Sequence, residues 1–124
     1  MTQTRKKIIV VDDNLESLIA IKNTLKDIYD VYPAPSTSKM FDLLKHFIPD
    51  MIILDIEMPE VNGYEAAQML KGNADYRQIP VVFLTAARGE VNEATGLNLG
   101  ALDYIYKPFK APLFLQRIKA LLNN

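Results

Sequence analysis

A small set of side chains in this sequence is of the right kind to do chemistry together. Asp12 and Asp13 are adjacent acids directly after an apolar run, and Asp55 closes a second run. Thr85 closes a third, and Lys107 follows a fourth, just before Pro108. These groups describe a phosphoryl-transfer site: a carboxylate nucleophile, further carboxylates able to hold a metal, a cation, and a hydroxyl that can bond a phosphoryl oxygen. Two carboxylates about 4 Å apart repel by roughly 4 kcal/mol at an effective dielectric near 20. A hard divalent cation would remove that penalty. Mg²⁺ takes oxygen ligands, few of them carboxylates, and commonly bridges to phosphate. Neutralising Asp12 or Asp13 is then expected to raise the melting temperature of the metal-free chain.

Each residue also has a plainer reading. Asp13 followed by Glu16 fits a helix capping box, which leaves Asp12 unexplained because one cap needs one carboxylate. Asp55 could simply end a strand, and Thr85 could favour a turn. His46, the single histidine, reads as structural or solvated, and its isolation excludes a His-rich metal site. The weight lies in the coincidence that each well-defined apolar run delivers a polar, reactive group at the same end.

The elements that must position these groups are short. Ile8–Val11, Met51–Leu54, Val81–Leu84 and Tyr104–Tyr106 are of strand length, and their continuous hydrophobicity implies burial on both faces, as in a parallel sheet. A weaker segment around Asp30–Tyr32 is expected to be another strand, ended by Pro33 and Pro35. Helix-period stripes lie between them. They are Leu15, Leu18, Ile21, Leu25 and Ile28; Met40, Leu43, Leu44 and Phe47; Ala66, Ala67 and Leu70 after the Asn62-Gly63 turn signal; Val91, Ala94 and Leu97; and Phe114, Ile118, Leu121 and Leu122. Strand and helix alternate five times, which predicts an α/β fold with right-handed crossovers and helices on both faces of the sheet. Function then belongs at the carboxyl edge of the strands.

The chain has 124 residues, enough for one compact domain. A net charge of -1 gives no electrostatic reason to expect a nucleic acid or an anionic membrane as partner. With no cysteine there is neither disulfide nor thiol chemistry, which suits the cytoplasm. No apolar run approaches the length of a membrane span.

The ordered motifs resemble the receiver domain of two-component response regulators, similar to the chemotaxis-type single-domain receivers. They are Val10-Val11-Asp12-Asp13, then Ile53-Leu54-Asp55-Ile56-Glu57-Met58-Pro59 running to Asn62-Gly63, then Leu84-Thr85-Ala86, then Gly100 to Tyr104 leading to Lys107-Pro108-Phe109. The resemblance covers the whole chain as a single domain, with a core from about residue 6 to 122. It implies a flavodoxin-like (βα)5 doubly wound sheet with strand order 2-1-3-4-5. It further implies that Asp55 takes a phosphoryl group from the phosphohistidine of a sensor histidine kinase, from a phosphotransfer protein or from a small phosphodonor. Asp12, Asp13, Asp55 and the backbone carbonyl of Glu57 would hold Mg²⁺, with Mn²⁺ as substitute. Lys107 would pair with Asp55 and then with the phosphoryl group, and the bond before Pro108 would be cis. Thr85 would swing to the phosphoryl oxygens while Tyr104 turns inward behind it. The output face would be the fourth helix, fifth strand and fifth helix, contacting an effector or partner protein. A homodimer would use the same face. Asp103 and Arg117 resemble charged residues that pair across such dimers, whereas Thr95 and Asn98 lack the charges expected of the fourth helix. Glu57 and Ala87 border the attacking water in the family, so Glu57 is expected to influence the phosphate lifetime. Ala111-Pro112-Leu113 resembles receivers joined to cyclic-nucleotide signalling or kinase modules. Such a chain is a switch, acting as a catalyst only on its own Asp55.

Two other readings compete. A phosphatase of the haloacid dehalogenase type also uses an Asp nucleophile and Mg²⁺, but places the nucleophile in a D-x-D motif after the first strand; Asp55-Ile56-Glu57 is neither. A degenerate receiver would bind its partner without phosphorylation, and would not need the full set of Asp12, Asp13, Asp55, Thr85 and Lys107.

Overall fold

In the computed structural model, which describes residues 4–86 and 98–122, strands and helices alternate from the first strand to the fourth. They are β1 (Lys7–Val11), α1 (Leu15–Leu25), β2 (Asp30–Ala34), α2 (Thr37–Leu44), β3 (Met51–Asp55), α3 (Gly63–Lys71), β4 (Val81–Thr85), β5 (Asp103–Tyr106) and α4 (Ala111–Leu122). The last helix is the one counted fifth in the sequence. The stripe Val91, Ala94 and Leu97, like Ala87 and Thr95, lies outside the described residues.

All strand pairs are parallel, in the order β2-β1-β3-β4-β5. This is the doubly wound flavodoxin-like sheet expected from the sequence. Side chains alternate across it, and each face has its own core. Ile9, Val11, Ile52, Leu54, Phe83 and Tyr104 pack against Met40 and Leu44 of α2 and Ala66, Ala67 and Leu70 of α3. Ile8, Val10, Met51, Ile53, Val82, Leu84 and Ile105 pack against Leu18, Ile21 and Leu25 of α1 and Phe114, Ile118 and Leu122 of α4. Burial of one such side chain is worth about 1.5–3 kcal/mol, so β1, β3 and β4 anchor the fold.

Some expectations need correction. Pro33 does not end β2 but lies within it, opposite Val10. An edge strand has one side unpaired, so the missing N–H costs no ladder bond. Leu15 and Ile28, at the ends of the first stripe, are exposed. Phe47 falls beyond α2 and packs at a tilt against Tyr32, with ring centroids 4.5 Å apart. Asp13 does not cap α1. Asn14 does, with extended backbone and a side chain that accepts from the Ser17 N–H at 3.0 Å. The helix starts one residue later than Asp13 would require, which leaves Asp13 exposed at the edge of the sheet.

Candidate functional site

The parallel sheet brings the carboxyl ends of β1, β3, β4 and β5 to one edge, and each carries its reactive group there. Asp12 follows β1 and is buried; its carboxylate accepts the Asn14 N–H at 2.9 Å, which ties it to the start of α1. Asp55 is the last residue of β3 and Thr85 the last of β4, both buried. Asp55 continues the alternation of Met51 and Ile53, toward the face that α1 and α4 cover. Thr85 continues that of Val81 and Phe83, toward the face that Tyr104 shares. The acid and the hydroxyl therefore enter the site from opposite faces of the sheet.

Asp12, Asp13 and Asp55 each offer a carboxylate oxygen, and these oxygens lie within 4.8 Å of one another. Lys107 Nζ sits 2.6 Å from Asp12 and 4.0 Å from Asp55. The expected partner of Lys107 was Asp55; the shorter contact is to Asp12. A compact ammonium can lie between two carboxylates, and here it lies nearer the more deeply buried one. The Lys107–Pro108 bond is cis.

The Asp55 carboxyl is pushed up to about 7 from an ordinary 3.8. Burial is the main cause, followed by repulsion from Asp12. Lys107 pulls the other way, Asp13 adds repulsion, and the Glu57 N–H, bonded to the carboxylate, lowers it again. Three clustered carboxylates, one of them reluctant to ionise, could hold an added cation. The donor set, all oxygen and all at one edge, suits a hard divalent ion such as Mg²⁺. The Glu57 side chain is exposed, and its backbone N–H bonds the Asp55 carboxylate.

Behind Thr85, Tyr104 is buried. The ring centroids of Tyr104 and Phe83 are 5.3 Å apart, and those of Tyr104 and Tyr106 6.5 Å. Tyr64, which no sequence motif singles out, meets Tyr104 hydroxyl to hydroxyl at 2.6 Å. Gly63 is the other residue whose role was not read. A Cβ there would sit 2.3 Å from the Asp55 carbonyl oxygen and 2.8 Å from Ile56 Cα. The Asn-Gly pair signals a turn; it does not signal that α3 is pressed onto the end of β3. Asp103 and Arg117 pair with each other within the chain, through two contacts of 2.8 and 2.9 Å, and Arg117 also bonds the Tyr104 carbonyl. His46 is exposed.

The profile of the response regulator receiver domain matches residues 8–119. The chain belongs to the response regulator receiver family. Among curated relatives, a probable cyclic di-GMP phosphodiesterase of Vibrio cholerae is 35% identical over 94% of this receiver and 26% of its own length. A probable transcriptional regulator, ycf27, of Guillardia theta is 35% identical over 98% of the receiver and 47% of its own length. The receiver thus spans about a quarter to a half of the length of these relatives. Among solved structures, the chemotaxis protein CheY4 of Vibrio cholerae has a TM-score of 0.88 at 25% identity, covering 96% of this chain and 100% of its own. The receiver domain of a signal transduction histidine kinase from Syntrophus aciditrophicus scores 0.84 at 32% identity, covering 95% and 90%. Receivers thus stand in regulators and in kinases alike. No helix among the described residues is long and apolar enough to cross a membrane.

Proposed function

We propose that this receiver is a phosphoacceptor switch and that Asp55 is the acceptor. The observation that carries the proposal is the convergence of Asp12, Asp13, Asp55 and Lys107 at one edge of the sheet, with carboxylate oxygens within 4.8 Å of one another and the ammonium 2.6 and 4.0 Å from two of them. A carboxylate oxygen of Asp55 attacks the phosphorus of a phosphohistidine or acyl phosphate. The new O–P bond forms as the donor's P–N or P–O bond breaks, and the leaving group takes that electron pair. Asp12, Asp13 and Asp55, with the Glu57 carbonyl, would hold Mg²⁺ or Mn²⁺, which supplies positive charge to the three acids and the transferred oxygens. Lys107 offsets charge from the other side; when the phosphoryl group arrives it trades part of its contact with Asp12 for the new oxygens. The Glu57 N–H bonds the Asp55 carboxylate and helps hold it in place. Thr85 donates its hydroxyl to a phosphoryl oxygen, and the inward Tyr104 fills the space behind it.

The chain is thus a substrate of a histidine kinase or phosphotransfer protein in the cytoplasm, and a catalyst only for its own modification. Its output face includes β5 and α4, where Leu113 is exposed, and it binds an effector domain or partner protein. Phosphorylation biases that face only by its differential contacts with two states. Incubation with acetyl phosphate and Mg²⁺ should add the mass of one phosphoryl group to the intact protein, and Asp55→Asn should abolish the adduct. No adduct on the wild type would favour phosphorylation-independent binding. Turnover of many phosphate esters would favour a phosphatase.

A further inference from the structure

The ring of the switch residue Tyr104 is gripped from a second direction. Its hydroxyl lies 2.6 Å from that of Tyr64, and either oxygen can donate. Phe83 sits beside both rings, with centroids 5.2 Å from Tyr64 and 5.3 Å from Tyr104. This packing is edge-on to Tyr64 and tilted to Tyr104, whereas the hydroxyl pair is directional. It exists only where the tip of Tyr104 points inward, because rotation about χ1 toward solvent carries the hydroxyl out of hydrogen-bond reach.

Tyr64 is itself fixed to the acceptor loop. It is the second residue of α3, whose N-terminus is closed by a capping box between Asn62 and Glu65. The preceding Gly63 N–H donates to the Ile56 carbonyl at 2.8 Å, and Gly63 packs directly on the Asp55 backbone. One short segment thus carries Asp55 at one end and the partner of Tyr104 at the other.

We infer that Tyr64 is a positioning residue for the switch, holding Tyr104 inward through the hydroxyl pair and so setting the inward-to-outward ratio on which phosphorylation acts. The inference rests on the switch reading of Thr85 and Tyr104 and adds to it a residue that biases the equilibrium. A net hydrogen bond of ordinary strength shifts such a ratio about two- to tenfold. A bond present only in the competent state also raises the apparent affinity for the phosphoryl group.

The test uses the intact chain labelled with fluorotyrosine, with the Tyr104 resonance assigned by its loss in Tyr104→Phe. Tyr64→Phe keeps the ring and its packing on Phe83. It should move the Tyr104 resonance toward its exposed position and slow adduct formation from acetyl phosphate about two- to tenfold. Tyr104→Phe should slow it similarly, and the double variant should be no slower than either single, because both remove the same bond. An unchanged Tyr104 resonance in Tyr64→Phe overturns the inference. So do equal phosphorylation rates across the set, or strictly additive losses. A wild type that takes no phosphoryl group contradicts the phosphoacceptor reading instead, and the resonance then still decides whether Tyr64 holds Tyr104.

Discussion

Asp55 is placed where a carboxylate ionises reluctantly, and that has a measurable consequence in the metal-free protein. Its folded pKa of about 7 lies above the ordinary 3.8, so the folded state binds the proton more tightly than the unfolded state. The stability this proton contributes is full below about pH 4 and is lost as the pH rises toward 7. In EDTA, urea unfolding of the wild type should weaken across that window relative to Asp55→Asn, whose side chain does not titrate. The gap should change by about 4 kcal/mol between pH 4 and pH 8, and no pH dependence of the gap would contradict this reading. The two other acids are not equivalent, although their adjacency in sequence makes them look so. Asp13 is exposed, whereas Asp12 is buried and holds Lys107 at 2.6 Å. Asp13→Asn should therefore raise the metal-free melting temperature slightly, by relief of repulsion. Asp12→Asn should lower it, because it breaks the 2.6 Å contact with Lys107; equal shifts on thermal denaturation would show that burial does not separate them. Residue types at strand ends made Asp12, Asp55, Thr85 and Lys107 legible in sequence. Their pairing was legible in part: Lys107 does reach Asp55, at 4.0 Å, but its shorter contact to Asp12 depends on burial that no spacing encodes. Tyr64 was equally hidden, since an aromatic residue in the first turn of a helix reads as core.

Among the elements, β3 and α3 position Asp55, the proposed acceptor, together. Gly63 has no room for a Cβ, and the atoms it would strike belong to the backbone of Asp55 and Ile56, which cannot swing aside. Gly63→Ala should destabilise by about 2–3 kcal/mol. In urea the midpoint should fall with an unchanged slope, and an unaltered midpoint would mean that α3 is free to lift from β3. Strands β1, β3 and β4 were legible because burial on both faces writes a continuous apolar run. The extent of β2 was not, because an edge strand tolerates Pro33 and carries few buried residues. The stripe placed the start of α1 at Leu15 correctly, but its cap was not legible, since Asp13 and Asn14 are both good caps and only the backbone conformation decides between them.

Across the whole molecule, the doubly wound topology turns residues far apart in sequence into one site. Lys107 and Asp12 are 95 positions apart and form a direct ion pair. Two cores on opposite faces pack the sheet between them, and the proposed switch side chain Tyr104 belongs to one of them. The fold class was legible because alternation of strand and helix leaves few ways to bury both kinds of element. The central claim concerns a single atom group, the Asp55 carboxylate. After treatment with acetyl phosphate and Mg²⁺, reduction with borohydride converts an acyl phosphate to an alcohol, and peptide mass spectrometry locates it. The account predicts homoserine at position 55 and at no other acid. Homoserine at position 12 or 13, or none after full treatment, would contradict it.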